Sequence, residues 1–206
     1  KTISSKSIGE PVQENTQPWV VLKFGGTSVS SVANWRNIAG IVRERMAASL
    51  RPVIIHSALS GTTDRLESLL AAAAAGAHST VLEHIDAKHR ELAHSLGVAP
   101  GARFEQFMQE LRDVADLAAG VAVIDAAIRA RVMGLGELLA TALGAAFLKS
   151  QGIDAAWTDA RQALRADTLE GATVNSSFLS TTCDFAPDAG LQALWRERLC
   201  PMEPQA

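Results

Sequence analysis

The 206-residue chain has only two cysteines, Cys183 and Cys200, too far apart for a metal-binding spacing. That scarcity fits a reduced, cytosolic setting with a structural role for each thiol. Four of its five histidines, His78, His84, His89 and His94, share one stretch, yet no two are four residues apart, so the helical zinc pair is excluded. They read as surface residues, and His56, at the end of an apolar run, as a packed one. There is no excess of positive charge: the net charge is −3, which argues against a polyanion-binding face and hence against a nucleic-acid partner. No apolar run approaches the roughly 20 residues that span a bilayer. The longest, Leu69 to Ala77, is mostly alanine. No charged start leads into an apolar run, so no signal peptide is expected. The Walker A pattern, the G-x-G-x-x-G dinucleotide fingerprint and the G-x-S-x-G elbow are all missing, which removes P-loop, dinucleotide-binding and serine-hydrolase chemistry in their familiar forms.

What remains is 48% apolar and 20% charged, the proportions of a globular protein with one solid core. Residues 1–18 are polar and read as a flexible tail, so the folded domain is expected over 19–206. Trp19–Phe24 is an apolar run ending in glycines and predicts a buried strand. Ser31 is placed to cap a helix reaching about Ala48, with Val32, Trp35, Ile38, Ala39, Val42 and Met46 on one face. Pro52–Ser57 predicts a second buried strand, so a parallel βαβ unit is expected. Helices follow over about 64–75, 78–96, 101–119 and 121–150, a long all-helical insert. Gly152–Trp157 predicts a further strand, 160–182 a short helix with β or loop, and 188–199 a last helix. The whole is α/β.

Three elements carry chemistry. The first is Lys23-Phe24-Gly25-Gly26-Thr27-Ser28, directly after the first strand. Glycines let backbone N–H groups approach a ligand, and a lysine at the strand end offers a point charge, which together suit a phosphate. The second is Ser57-Ala58-Leu59-Ser60-Gly61-Thr62-Thr63-Asp64, beyond the carboxyl end of the second strand, where open α/β sheets bind ligands. Its hydroxyls suit a carboxylate. They equally suit an N-cap, with Thr62 or Thr63 capping the next helix and Glu67 closing a capping box, and the two roles are compatible. The third is Gly134-Leu135-Gly136-Glu137-Leu138, where small neighbours leave room beside a helix carboxylate that can take a ligand ammonium group or stand in solvent.

In this order the three elements resemble aspartokinase: the opening Lys23–Val29, the Ser-Ala-x-x-Gly-x-Thr of Ser57–Thr63, and the Gly-Glu-Leu of Gly136–Leu138. Trp157 with Asp159-Ala160-Arg161 is similar to the family's next segment. The resemblance spans about Trp19 to Thr182. It implies the N-terminal portion of an αβα sandwich of the amino-acid-kinase type, with a helical insert. It also implies transfer of the γ-phosphoryl of ATP, with Mg²⁺, to the β-carboxylate of L-aspartate, the first step towards lysine, threonine and methionine. Lys23 would contact the transferring phosphate as the catalytic cation. Gly25, Gly26, Thr27 and Ser28 would cradle it, Ser57 and Thr63 would hold aspartate, and Glu137 would take its ammonium group. No residue of the chain is assigned to a metal. The enzyme is expected in the cytoplasm, away from membranes, with a homo-oligomer compatible with an exposed sheet edge.

The family's second half, with its remaining substrate residues and glycine- and serine-rich nucleotide segment, has no counterpart after Thr182. The chain is therefore expected to be an N-terminal segment, from a single kinase or a fusion, and inactive alone. The alternative is a noncatalytic interaction module that keeps the kinase fold.

Overall fold

The structure, a computed structural model, describes residues 17–121 and 123–164 with six isolated positions between 171 and 186. Most of the expected tail over 1–18 and the expected helix over 188–199 lie outside the described residues. The first strand, β1 (Trp19–Phe24), pairs in parallel with β2 (Arg51–His56), in register from Trp19–Arg51 to Phe24–His56. Between them runs α1 (Val32–Ala47), capped as expected by Ser31, whose hydroxyl accepts the Asn34 N–H at 3.3 Å.

Alternation along the strands gives this two-stranded sheet two unlike faces. Leu22, Phe24 and Ile54 pack inward with Trp35, Ile38 and Val42 of α1 and with Phe147. The other face carries Trp19, Val21 and Lys23, with Ile55 beside Lys23 in the register. Val21 is 62% exposed and Ile55 51%. The expectation of fully buried strands is thus corrected: among the described residues, helices cover one face only.

The helical insert forms a closed body of four helices, α2 (Thr62–Ala74), α3 (Ser79–Leu96), α4 (Gly101–Leu117) and α5 (Ala126–Ser150). Apolar residues three and four apart on α4, namely Phe104, Phe107, Met108 and Leu111, meet Leu69 of α2, Ile85 of α3, and Leu135 and Leu139 of α5. By length and composition α5 could cross a bilayer, but most of it is buried among α2, α3 and α4. It starts at Ala126 rather than 121 because Asp125 caps it, accepting the Ile128 N–H at 2.7 Å.

Two further expectations fail for identifiable reasons. Gly152–Trp157 shows the alternation of a strand, with Ile153 buried and Asp154 and Ala156 exposed, but it has no ladder partner among the described residues. Its apolar side chains instead join the two cores, and the indole N–H of Trp157 donates to Thr141 Oγ1 at 3.0 Å. A short α6 (Ala160–Ala163), capped by Asp159, follows. His89 is not a surface residue but fully buried: its Nδ1 lies 2.7 Å from the Ile85 carbonyl, one turn back, and its ring approaches Phe104. His56 is packed, as expected, with Trp35 edge-on at 5.3 Å.

Candidate active site

The glycine-containing turn after β1 is built so that its carbonyls are used internally. Gly25 is extended and opens a one-turn 3-10 helix over Gly26–Val29. The Gly25 carbonyl accepts from the Ser28 N–H at 3.0 Å, that of Gly26 from the Ser30 hydroxyl at 2.6 Å, that of Thr27 from Asn34 Nδ2 at 3.1 Å, and that of Val29 from the buried Trp35 indole at 2.8 Å. With four of its five carbonyls accepting, the first N–H groups of the turn, which have no partner within a helix, are among the polar groups it can offer outward.

The second loop lies directly against the first. A Cβ on Gly26 would come 2.7 Å from the Ala58 carbonyl oxygen and 3.3 Å from the Ser60 nitrogen, so only glycine permits this approach. The Ser57 N–H extends the strand pairing by donating to the Phe24 carbonyl at 3.1 Å. Neither threonine caps α2. Its N-cap is Gly61, in the left-handed region at φ 72°, with no side-chain cap. Glu67 does not close a capping box but pairs with Arg129 at 2.5 Å. Thr63 therefore sits exposed in the first turn of an uncapped helix, its hydroxyl not committed to a cap. The cap reading of this element is overturned, and its capacity for a ligand is retained.

The third element meets the other two through α5. A Cβ on Gly136 would fall 2.8 Å from Leu66 and 3.3 Å from both Ala58 and Thr62, so the absent side chain lets α5 close on the second loop. Glu137 then places its carboxylate where the Ala58 N–H donates to it. Loss of water pushes the Glu137 carboxyl above its usual range, against the opposing pull of hydrogen bonds from its own N–H and that of Ala58. By surface area the residue is nonetheless exposed, so only part of the water around its carboxylate is lost.

Lys23 stands exposed at the penultimate position of β1, two residues before Gly25, on the open face of the sheet. No described carboxylate pairs with it. The structure thus brings Gly26, Ala58–Ser60 and Gly136–Glu137 into contact, with Lys23 and Ser57 at the adjoining strand ends. Among the described residues no three His, Cys, Asp or Glu side chains gather to hold a metal.

Two residues of the site escaped the sequence reading. Ser30 accepts the Ser60 N–H at 2.8 Å while donating to Gly26, and Lys88 of α3 donates from Nζ to the Ser60 carbonyl. Ser30 is hidden in a run of hydroxyl residues. Lys88 lies 28 positions from its partner, and only the packing of α3 on α2 unites them.

Residues 18–188 match the amino acid kinase family. The chain is 26% identical over 178 residues to the aspartokinase of Chlamydia muridarum (strain MoPn / Nigg), covering 86% of this chain and 36% of that protein. It is 30% identical over 155 residues to bifunctional aspartokinase/homoserine dehydrogenase 1, chloroplastic, of Arabidopsis thaliana, covering 71% of this chain and 17% of that one. Among solved structures it is similar to E. coli aspartokinase III in complex with aspartate and ADP (R-state), with TM-score 0.65, 26% identity, 88% of this chain and 37% of that one covered. The chain spans little more than a third of these two aspartokinases, and less of the bifunctional enzyme.

Proposed function

The chain belongs to the amino acid kinase family, as an N-terminal portion of that α/β fold, and on this premise we propose that it carries the aspartate-binding side and the phosphate lysine of an aspartokinase. The observation that carries the reading is the convergence of the glycine turn, the Ser57–Thr63 loop and Glu137 at the ends of two parallel strands. The similar E. coli aspartokinase III was solved in complex with aspartate and ADP, which supports the choice of substrates.

In the proposed reaction a β-carboxylate oxygen of L-aspartate attacks the γ-phosphorus of ATP. The bond to the β–γ bridging oxygen breaks, and ADP leaves with that electron pair, giving an acyl phosphate. Such a transfer needs in-line positioning and neutralisation of phosphoryl charge more than covalent help from the protein. Lys23 supplies the cation, and Gly25, Gly26, Thr27 and Ser28 line the phosphate turn. Ser57 and Thr63 hold carboxylate oxygens, Thr63 from the uncapped start of α2, where the helix dipole favours an anion. Glu137 takes the substrate ammonium: a carboxylate already short of water gains most from a cationic partner. The described residues offer no ligand cluster for Mg²⁺, and an ion arriving here would be carried mainly by the nucleotide's own phosphates.

The reading sets the enzyme in the cytoplasm, with L-aspartate and ATP as partners and self-association compatible with the open sheet. Because the chain spans only part of its relatives, the 206-residue polypeptide alone is expected to form no aspartyl phosphate. The test is a hydroxamate assay on the chain alone and on the longer protein that carries it. Turnover in the longer protein only is the expected result. Robust turnover by the chain alone would overturn the division of the site, and none in either would favour a noncatalytic module.

A further inference from the structure

Ser60 and Gly61 are both exposed in the second loop, and Gly61 adopts a backbone that glycine reaches without cost. Such a peptide has little reason to hold one orientation by itself. Yet both polar groups of Ser60 are taken by side chains from other elements. Its N–H donates to Ser30 Oγ at 2.8 Å, and the same hydroxyl donates onward to the Gly26 carbonyl at 2.6 Å. Its carbonyl accepts from Lys88 Nζ. A hydroxyl is suited to Ser30's position because it both accepts and donates. Lys88 is held over a neutral carbonyl and forms no ion pair with a described carboxylate. A Cβ on Gly61 would sit 3.7 Å from its ammonium, so the cation rests on the loop.

We propose that Ser30 and Lys88 are positioning residues that clamp the two peptide groups flanking the Ser60 Cα, one at its N–H and one at its carbonyl, locking the aspartate loop to the phosphate turn and anchoring both to the helical insert. The inference rests on the aspartate-binding role proposed above for that loop. A loop held in its binding geometry beforehand spares the substrate the cost of ordering it. The Lys88 charge, partly desolvated and beside Arg65, also adds positive potential next to a loop meant for carboxylates.

Amide hydrogen exchange on the 206-residue chain tests the clamp without requiring turnover. Ser30→Ala should speed exchange of the Ser60 amide about tenfold, since that N–H loses its acceptor. Lys88→Met should speed exchange across residues 59–61, and Lys88→Arg should restore most of the protection, while Leu92 and Ala93 of α3 keep theirs in both. In the longer kinase Lys88→Met should raise KM for L-aspartate about fivefold, the worth of one hydrogen bond, with kcat little changed. Unchanged exchange at 59–61 in Lys88→Met overturns the clamp. So does a loss of protection spread equally over α3 that Lys88→Arg fails to repair, because Lys88 would then be structural only. Loop exchange as expected, in a longer protein that never phosphorylates aspartate, supports the clamp and refutes the assigned reaction.

Discussion

The helical body and the two-stranded sheet are built to different degrees of closure. Around α5 the side chains of four helices fill a common core, with Leu69, Phe104, Met108, Leu111, Leu135 and Leu139 at 1% exposure or less. The sheet has one such side: Val21 and Ile55 stand more than half exposed on the other. The three elements of the candidate site gather between these regions, where Gly26 and Gly136 both close on Ala58, and outside the site Gly144 of α5 closes on Trp35 of α1 and His56 of β2. The closed body supplies rigidity, and the open sheet supplies strand ends and a lysine. The contrast sets the candidate site at the seam, and it can be broken or sharpened by substitution.

The largest effect is expected at Lys23. Lys23→Ala in the longer kinase proposed above should cut kcat by about a hundredfold or more, as when a preorganised charge-stabilising group is removed. A loss of only a few-fold in the hydroxamate assay would remove Lys23 from the transition state. Stability effects come next and should separate two glycines of one helix. A Cβ at Gly144 would lie 2.4 Å from the Trp35 ring and 2.8 Å from His56 Nε2, so Gly144→Ala should cost about 1–3 kcal/mol by overpacking the seam. Gly134 has nothing within 4 Å of such a Cβ, so Gly134→Ala should stabilise by up to about 1 kcal/mol. Urea unfolding of both variants measures the difference, and equal shifts would refute the packing account.

A smaller effect is expected from pH. Burial lowers the pKa of both His56 and His89, each partly offset by a backbone hydrogen bond, to Ser57 and to Ile85 respectively. The unfolded chain then binds more protons than the folded one as pH falls below the ordinary histidine value of 6.5, so stability drops on that side and is fully present above it. Thermal melts at pH 7.5 and 5.5 should show a lower Tm in acid, and His89→Gln should narrow the gap. A wild-type Tm independent of pH in this window would contradict the burial of both rings. The smallest effect belongs to the open face: Val21→Thr should change stability by no more than about 0.5 kcal/mol, as at other exposed sites. A large loss would mean that something covers that face.

Much of this was legible in the chain because local rules fixed it. The spacing of Val32, Trp35, Ile38 and Val42, with Ser31 before them, was enough for α1. The apolar runs ending at Phe24 and His56 were enough for a parallel pair. The three site motifs were found because each is short and contiguous. Other features depended on neighbours far along the chain. The segment Gly152–Trp157 was read as extended, but its partners, which proved to be helices, could not be read with it. The cap of α2 was misread because Thr62 and Thr63 carry the usual capping chemistry, while Gly61 adopts the left-handed turn that ends the loop. His89 and Lys88 share α3, yet one is core and the other reaches the site, a difference that only the packing of α3 decides.

The central claim is that the seam binds L-aspartate with Glu137 on its ammonium group. The most direct measurement is the kinetics of Glu137→Gln in the longer kinase, a change that removes the charge and keeps the size. KM for L-aspartate should rise about tenfold or more, the loss of a charged hydrogen bond, while KM for ATP stays nearly constant. An unchanged KM for aspartate, or an equal rise for both substrates, would contradict the account.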